Sequence, residues 1–135
     1  MSPANAAISA YHRNNVYGRV VQADPHTLIA QLFAGALDRI RFARACVLSG
    51  DRARKAGSIT AALDIIDGLR MALDRDQGGD LAERLDALYE YVTLRLTQAN
   101  AANDVSILDE SDALIATIAQ AWEKAPRSAN GGARE

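Results

Sequence analysis

The sequence predicts an all-α protein: an antiparallel up-and-down four-helix bundle preceded by a short N-terminal helix or arm. Three observations predict it. Of the 135 residues, 49% are hydrophobic but only 5% aromatic, and the wealth of Ala and Leu with few β-branched runs favours helices over strands. Apolar residues recur every three or four positions through four long segments, and no stretch is a credible strand. The breaks between those segments are short and rich in Asp, Gly and Asn, so successive helices lie antiparallel.

This reading divides the chain into an arm over residues 1–22, a helical bundle over residues 23–125 and a disordered tail over residues 126–135. In the arm, Ile8, Tyr11, Val16 and Val20 have a loose helical spacing interrupted by Asn14 and Asn15. Asn is a poor helix former because its side chain competes for backbone hydrogen bonds. The expectation is therefore a short or conditional helix held by few anchors. Tyr11 is the largest, with a ring that buries well and a hydroxyl that stays wet. Packing on its own domain and a binding role both fit that spacing.

Asp24-Pro25 opens the first long helix, Asp accepting from free amides and Pro occupying the first turn, where a missing N–H costs nothing. Leu28, Leu32, Ala36, Ile40, Ala43 and Val47 form its stripe, widened by Ile29, Phe33 and Leu37. Gly50 ends it. Asp51 caps the second helix, where Ile59, Leu63, Ile66 and Leu73 share a line flanked by Ala62, Ile65 and Leu69. Gly57 followed by Ser58 marks a candidate bend. The next turn, Asp74 to Asp80, opens like a calcium loop, but its twelfth position is Leu85 where a bidentate Glu is needed.

After Gly78-Gly79, Asp80 is placed to cap a central helix running to Ala102, with Leu81, Leu85, Leu88, Val92, Leu96 and Ala99 on one row. Ala87, Tyr91 and Leu94 make a second row about 100° round from the first. That is more apolar surface than one neighbour can cover. Either the helix has partners on two sides within the bundle, or one face is left for another chain. Asp104 caps the last helix, whose narrower stripe is Ile107, Leu114, Ile115, Ile118 and Trp122, and Pro126 stops it.

Several function classes fall away. A net charge of −2 and a pI near 5.7 argue against a nucleic-acid surface, and the clusters Arg39, Arg41, Arg44 and Arg52, Arg54, Lys55 read as solvated faces. Cys46, the single cysteine, sits in a helical pattern as a small buried filler. His12 and His26 lie at or near helix starts, outside the core stripes, and no Glu stands three residues before a His as di-iron bundles require. No phosphate loop, metal motif or nucleophile arrangement is present, so the reading is no enzyme and no cofactor. With neither a signal sequence nor a run of about 18 apolar residues, the expectation is a cytoplasmic protein without membrane insertion. What remains is binding another chain by a helix-in-groove mode.

The ordered motifs resemble one family. Ala10-Tyr11, then Ala23 to Ile29, Gly35-Ala36-Leu37, Gly50-Asp51, Ile65-Ile66 and Leu73-Asp74 are followed by Gly78-Gly79 and Leu88-Tyr89-Glu90-Tyr91. Arg95-Leu96, Ala99-Asn100, Asp104 and Ala121-Trp122 complete the set, and in order and spacing it is similar to the FliS-type flagellar export chaperones from about Ile8 to Trp122. Asp24 stands where the family usually has Ser, which keeps the cap, and Ala34 where it usually has Asp. The resemblance implies a chaperone that binds the C-terminal segment of flagellin, prevents early assembly and contacts a component of the flagellar export gate. It also places the residue matching Tyr11 near a groove that the flagellin tail uses.

The partner-binding residues expected are Ile8, Tyr11 and Val16 of the arm, with Ile65, Leu69, Tyr91 and Leu94 as the surplus rows the arm partly covers until the tail displaces it. Tyr11 is carried by the family motif, the last four by helical geometry. The free protein is expected as a monomer or weak dimer. The alternative is a self-associating scaffold whose extra apolar face is a homodimer interface.

Overall fold

Local capping chemistry decides where each helix begins. In the computed structural model, which describes residues 24–126, four α-helices follow one another: α1 (Pro25–Ser49), α2 (Arg52–Met71), α3 (Arg75–Ala102) and α4 (Val105–Lys124). Ile8, Tyr11 and Val16 of the arm and the tail from Arg127 onward lie outside the described residues. Asp24 and Asp51 accept from the amides of Thr27 and Arg54 at 2.8 and 3.0 Å, and Asp104 accepts from the amide of Ser106 at 2.9 Å. Each contact satisfies an amide that has no partner inside its own helix. Gly50 adopts a left-handed φ of 80°, closed by hydrogen bonds from its own amide to Val47 and from Asp51 to Cys46, so α1 turns straight into α2.

The start of α3 corrects the sequence reading. The cap is Asp74, accepting from the amide of Gln77 at 3.0 Å, so helix begins at Arg75 rather than after Asp80. The Gly-Gly pair survives as a kink: Gly79 has φ 52° and ψ −128°, a combination a residue with a Cβ avoids. One turn of helix therefore precedes the bend and the rest of α3 follows it. Nor does Gly57 bend α2. Helix continues through it, and the Ser58 hydroxyl donates to the Arg39 carbonyl at 2.7 Å, binding α2 to α1.

The helices pack in a ring, α1 on α2, α2 on α3, α3 on α4 and α4 back on α1. With short connections this is an antiparallel four-helix bundle, as the sequence predicts. Its axis is filled by Leu32, Ala36 and Ile40 of α1, Ile59, Ala62 and Ile66 of α2, Val92 and Leu96 of α3, and Leu108 and Ile115 of α4. Cys46 is buried among the apolar residues, as its position in the pattern predicts.

Polar links lock the two ends. At one end the Lys55 ammonium, itself buried, donates to the Asn100 carbonyl at 2.8 Å and to the Asn103 side chain, tying the first turn of α2 to the last of α3. At the other, His26 and Trp122 stack with ring centroids 4.7 Å apart. The Trp122 indole donates to the His26 carbonyl at 2.9 Å, and His26 Nε2 donates to the Trp122 carbonyl at 3.0 Å. A carbonyl only accepts, so that ring nitrogen carries a proton. His26, read from sequence as lying outside the core stripes, is thus a buried clasp between the start of α1 and the end of α4.

Candidate partner-binding surface

α3 is the helix whose packing does not use up its apolar residues. Ala82, Leu85, Tyr89, Val92, Leu96 and Ala99, spaced alternately three and four apart, form the row that meets the bundle. That is a coiled-coil-like seam, and it is narrow. Leu81 and Leu88, expected on the core row, stand exposed beside it, while Tyr91 and Leu94 on the outer side are 41% and 54% exposed. Among the described residues seven large apolar side chains are exposed, and these four share α3, so the apolar excess is concentrated on one element.

Ile65 and Leu69 are placed differently from their sequence partners. At 3% and 2% exposure they belong to the core, because α2 lies between α1 and α3 and both flanks of its stripe are covered. The expectation of an exposed surplus row on α2 is corrected. Leu69 nonetheless reaches a surface feature, forming a wall of a hollow of about 220 Å³ at one end of the bundle. All four helices contribute to that hollow, with Ile29 and Phe33 from α1, Leu85 and Tyr89 from α3, and Ile118 and Trp122 from α4. Leu81 and Ala82 extend its lining along the first turns of α3 after the kink, so the hollow runs into the exposed apolar face.

Ion pairs frame this surface on both flanks of α3. Arg70 grips Asp86 with two hydrogen bonds of 2.8 and 3.2 Å, and Arg75 adds a third at 3.2 Å. These donors, Arg70 first, hold the Asp86 carboxyl below the usual carboxylate range. On the opposite flank of α3 the Tyr91 hydroxyl donates to Glu110 at 2.7 Å and Arg95 donates to the same carboxylate at 2.9 Å. Donation from Tyr91 and then Arg95 lowers the pKa of Glu110, and the same bond raises that of Tyr91. The ring of Tyr91 is thereby fixed in place on the exposed face. Two arginines of the group read as a solvated face are ion-paired, Arg41 with Asp112 at 2.8 Å and Arg44 with Asp109 at 2.8 Å.

Tyr89 is the residue sequence reasoning passed over. It lines the hollow at 2% exposure, and among the described residues its hydroxyl has no hydrogen bond. Burial pushes its phenol well above the usual range, so the group is a protonated donor across physiological pH. The alternating seam of α3 was the signal that places Tyr89 inward. The row through Leu81 and Leu88 masked it.

Comparison with known proteins places this geometry in a setting. The model of the flagellar protein FliS family matches residues 7–129. The chain is similar to the flagellar secretion chaperone FliSB of Pseudomonas aeruginosa, 41% identical over 89% of this chain and 95% of the relative. It is also similar to the flagellar secretion chaperones FliS of Salmonella typhimurium, 39% identical over 88% of this chain and 89% of the relative, and of Bacillus subtilis, 32% identical over 89% and 86%.

Proposed function

The chain belongs to the FliS family of flagellar secretion chaperones, not enzymes, and we propose that it holds the C-terminal segment of flagellin before export. In this reading it works in the cytoplasm, keeps flagellin from polymerising early and helps deliver it to the flagellar export apparatus. Among the described residues no helix is long and apolar enough to cross a membrane. The observation that carries the proposal is α3, a 28-residue helix that leaves Leu81, Leu88, Tyr91 and Leu94 exposed and lines an apolar hollow through Leu81, Leu85 and Tyr89. A disordered amphipathic segment gains most from such a surface, because it can lay an apolar face along the helix and a side chain into the hollow.

The arm has a place in the same reading. Residues 1–22 join the bundle at Asp24, one turn before Ile29 in the wall of the hollow. Extended chain covers about 3.3 Å per residue, so the linker after Tyr11 is long enough to reach the hollow and the near part of α3. Ile8, Tyr11 and Val16 act as a lid that the flagellin segment displaces, with Leu69 in the wall of the hollow beneath it. Such competition lowers apparent affinity and eases release.

Calorimetric titration with a synthetic flagellin C-terminal segment tests the function. A one-to-one complex with a large negative heat-capacity change is expected, from burial coupled to folding. No binding, together with a stable dimer of the pure protein, would instead make the α3 face a self-complementary interface of a scaffold. Deleting residues 1–17 tests the lid: tighter binding is expected, and unchanged affinity and kinetics would remove it.

A further inference from the structure

We infer that the Tyr89 hydroxyl is the polar grip of the hollow, donating a hydrogen bond to a main-chain carbonyl of the bound segment while an apolar side chain of that segment fills the space beside it. The inference rests on the reading of the protein as a flagellin chaperone. Buried hydroxyls in native proteins are almost always paired, and a pure packing role is served by Phe. Tyr89 keeps a hydroxyl at 2% exposure with no hydrogen bond among the described residues. Two residues on, the exposed Tyr91 does have a partner, Glu110 at 2.7 Å.

No residue lining the hollow makes a hydrogen bond to the Tyr89 hydroxyl. Ile29, Phe33, Leu69 and Ile118 are apolar, and Asp74 at its edge is engaged as the cap of α3. At about 220 Å³ the space exceeds the roughly 150 Å³ of an apolar cavity that takes up benzene. It therefore holds one bulky side chain of a polypeptide. The acceptor most generally available beside that side chain is backbone: every residue carries a carbonyl, and it is free wherever the bound segment is extended or ends a helix. A donor that reads backbone also tolerates variation in the sequence of its client. The segment thus meets Tyr89 where it is extended or ends a helix, which fixes its register on the bundle.

The test is Tyr89→Phe, which keeps the ring and removes the donor, titrated calorimetrically with the synthetic flagellin C-terminal segment alongside the unaltered protein. Affinity is expected to fall by about fivefold to tenfold, the size of one net hydrogen bond. The Tm of the free variant is expected to equal or exceed that of the parent, because an unpaired buried group has been removed. Unchanged affinity of the variant, with the parent binding normally, overturns the inference and leaves the chaperone reading standing. A lower Tm in the free variant also overturns it, since the hydroxyl would then serve the fold. Failure of the parent to bind the segment overturns both.

Discussion

α1 and α3 are the two long helices that face each other across the bundle, each flanked by the same two neighbours, yet they are used differently. α1 buries eleven of its 25 residues and α3 only five of 28, so length and apolar content do not predict how much of a helix the fold consumes. The small residues Gly35, Ala36 and Ala43 are among those α1 buries, and its packing on α2 is the most extensive among the four described helices. Small side chains let two helix axes approach, and Leu28, Leu32, Phe33 and Ile40 then fill both flanks. α3 meets α2 and α4 through a seam of alternating spacing and touches them less. The lesson is that one face of α1 is a finished core, while α3 carries a core on one side and an unfinished one on the other.

The contrast can be broken or sharpened by substitution. The largest effect is expected inside the seam: Leu96→Ala, at a fully buried site, should cost about 2–5 kcal/mol in chemical denaturation. A smaller loss would mean that even the buried row of α3 is loosely packed. Trp122→Phe comes next, losing the indole hydrogen bond to His26 across the clasp, for about 1 kcal/mol by the same measurement.

Asp86→Asn should cost less, up to about 1 kcal/mol at neutral pH, because the pairs with Arg70 and Arg75 are partly solvated. Its sign with pH is fixed by linkage. Arg70 and Arg75 depress the folded pKa of Asp86, so the contribution is complete above the unfolded value of about 3.9 and disappears as pH falls through the folded one. Acid titration of stability should therefore show a shallower fall below about pH 4 in Asp86→Asn than in the parent.

The smallest stability effect is expected on the outer row. Leu94→Ala should change folding by no more than about 0.5 kcal/mol. Yet it should weaken binding of a flagellin segment by about tenfold, the loss of a buried aliphatic side chain at an interface. If Leu94→Ala instead destabilised the free protein as much as Leu96→Ala, the division of α3 into a folding side and a binding side would fail.

Much of this was legible in the amino acids, and the boundary of what was legible is physical. Asp24, Asp51 and Asp104 announce helix starts because a cap bonds to an amide two or three residues away, and Gly50 announces an end because its left-handed φ is a property of one residue. The same local logic misplaced the start of α3, since Asp74 and Asp80 both precede plausible helix and the chain uses Asp74 with a kink at Gly79. The ordered motifs were sufficient for the family resemblance. What tertiary structure decided was the rotation of α3 about its own axis: Tyr89 inward, Leu81 and Leu88 outward, and Ile65 and Leu69 drawn into the core of a well-flanked α2. The apolar sector of α3 is broader than the seam its neighbours cover, so helical spacing alone does not say which row of it faces inward. The clasp of His26 on Trp122, 96 positions apart, and the hollow beside it exist only once four helix ends meet.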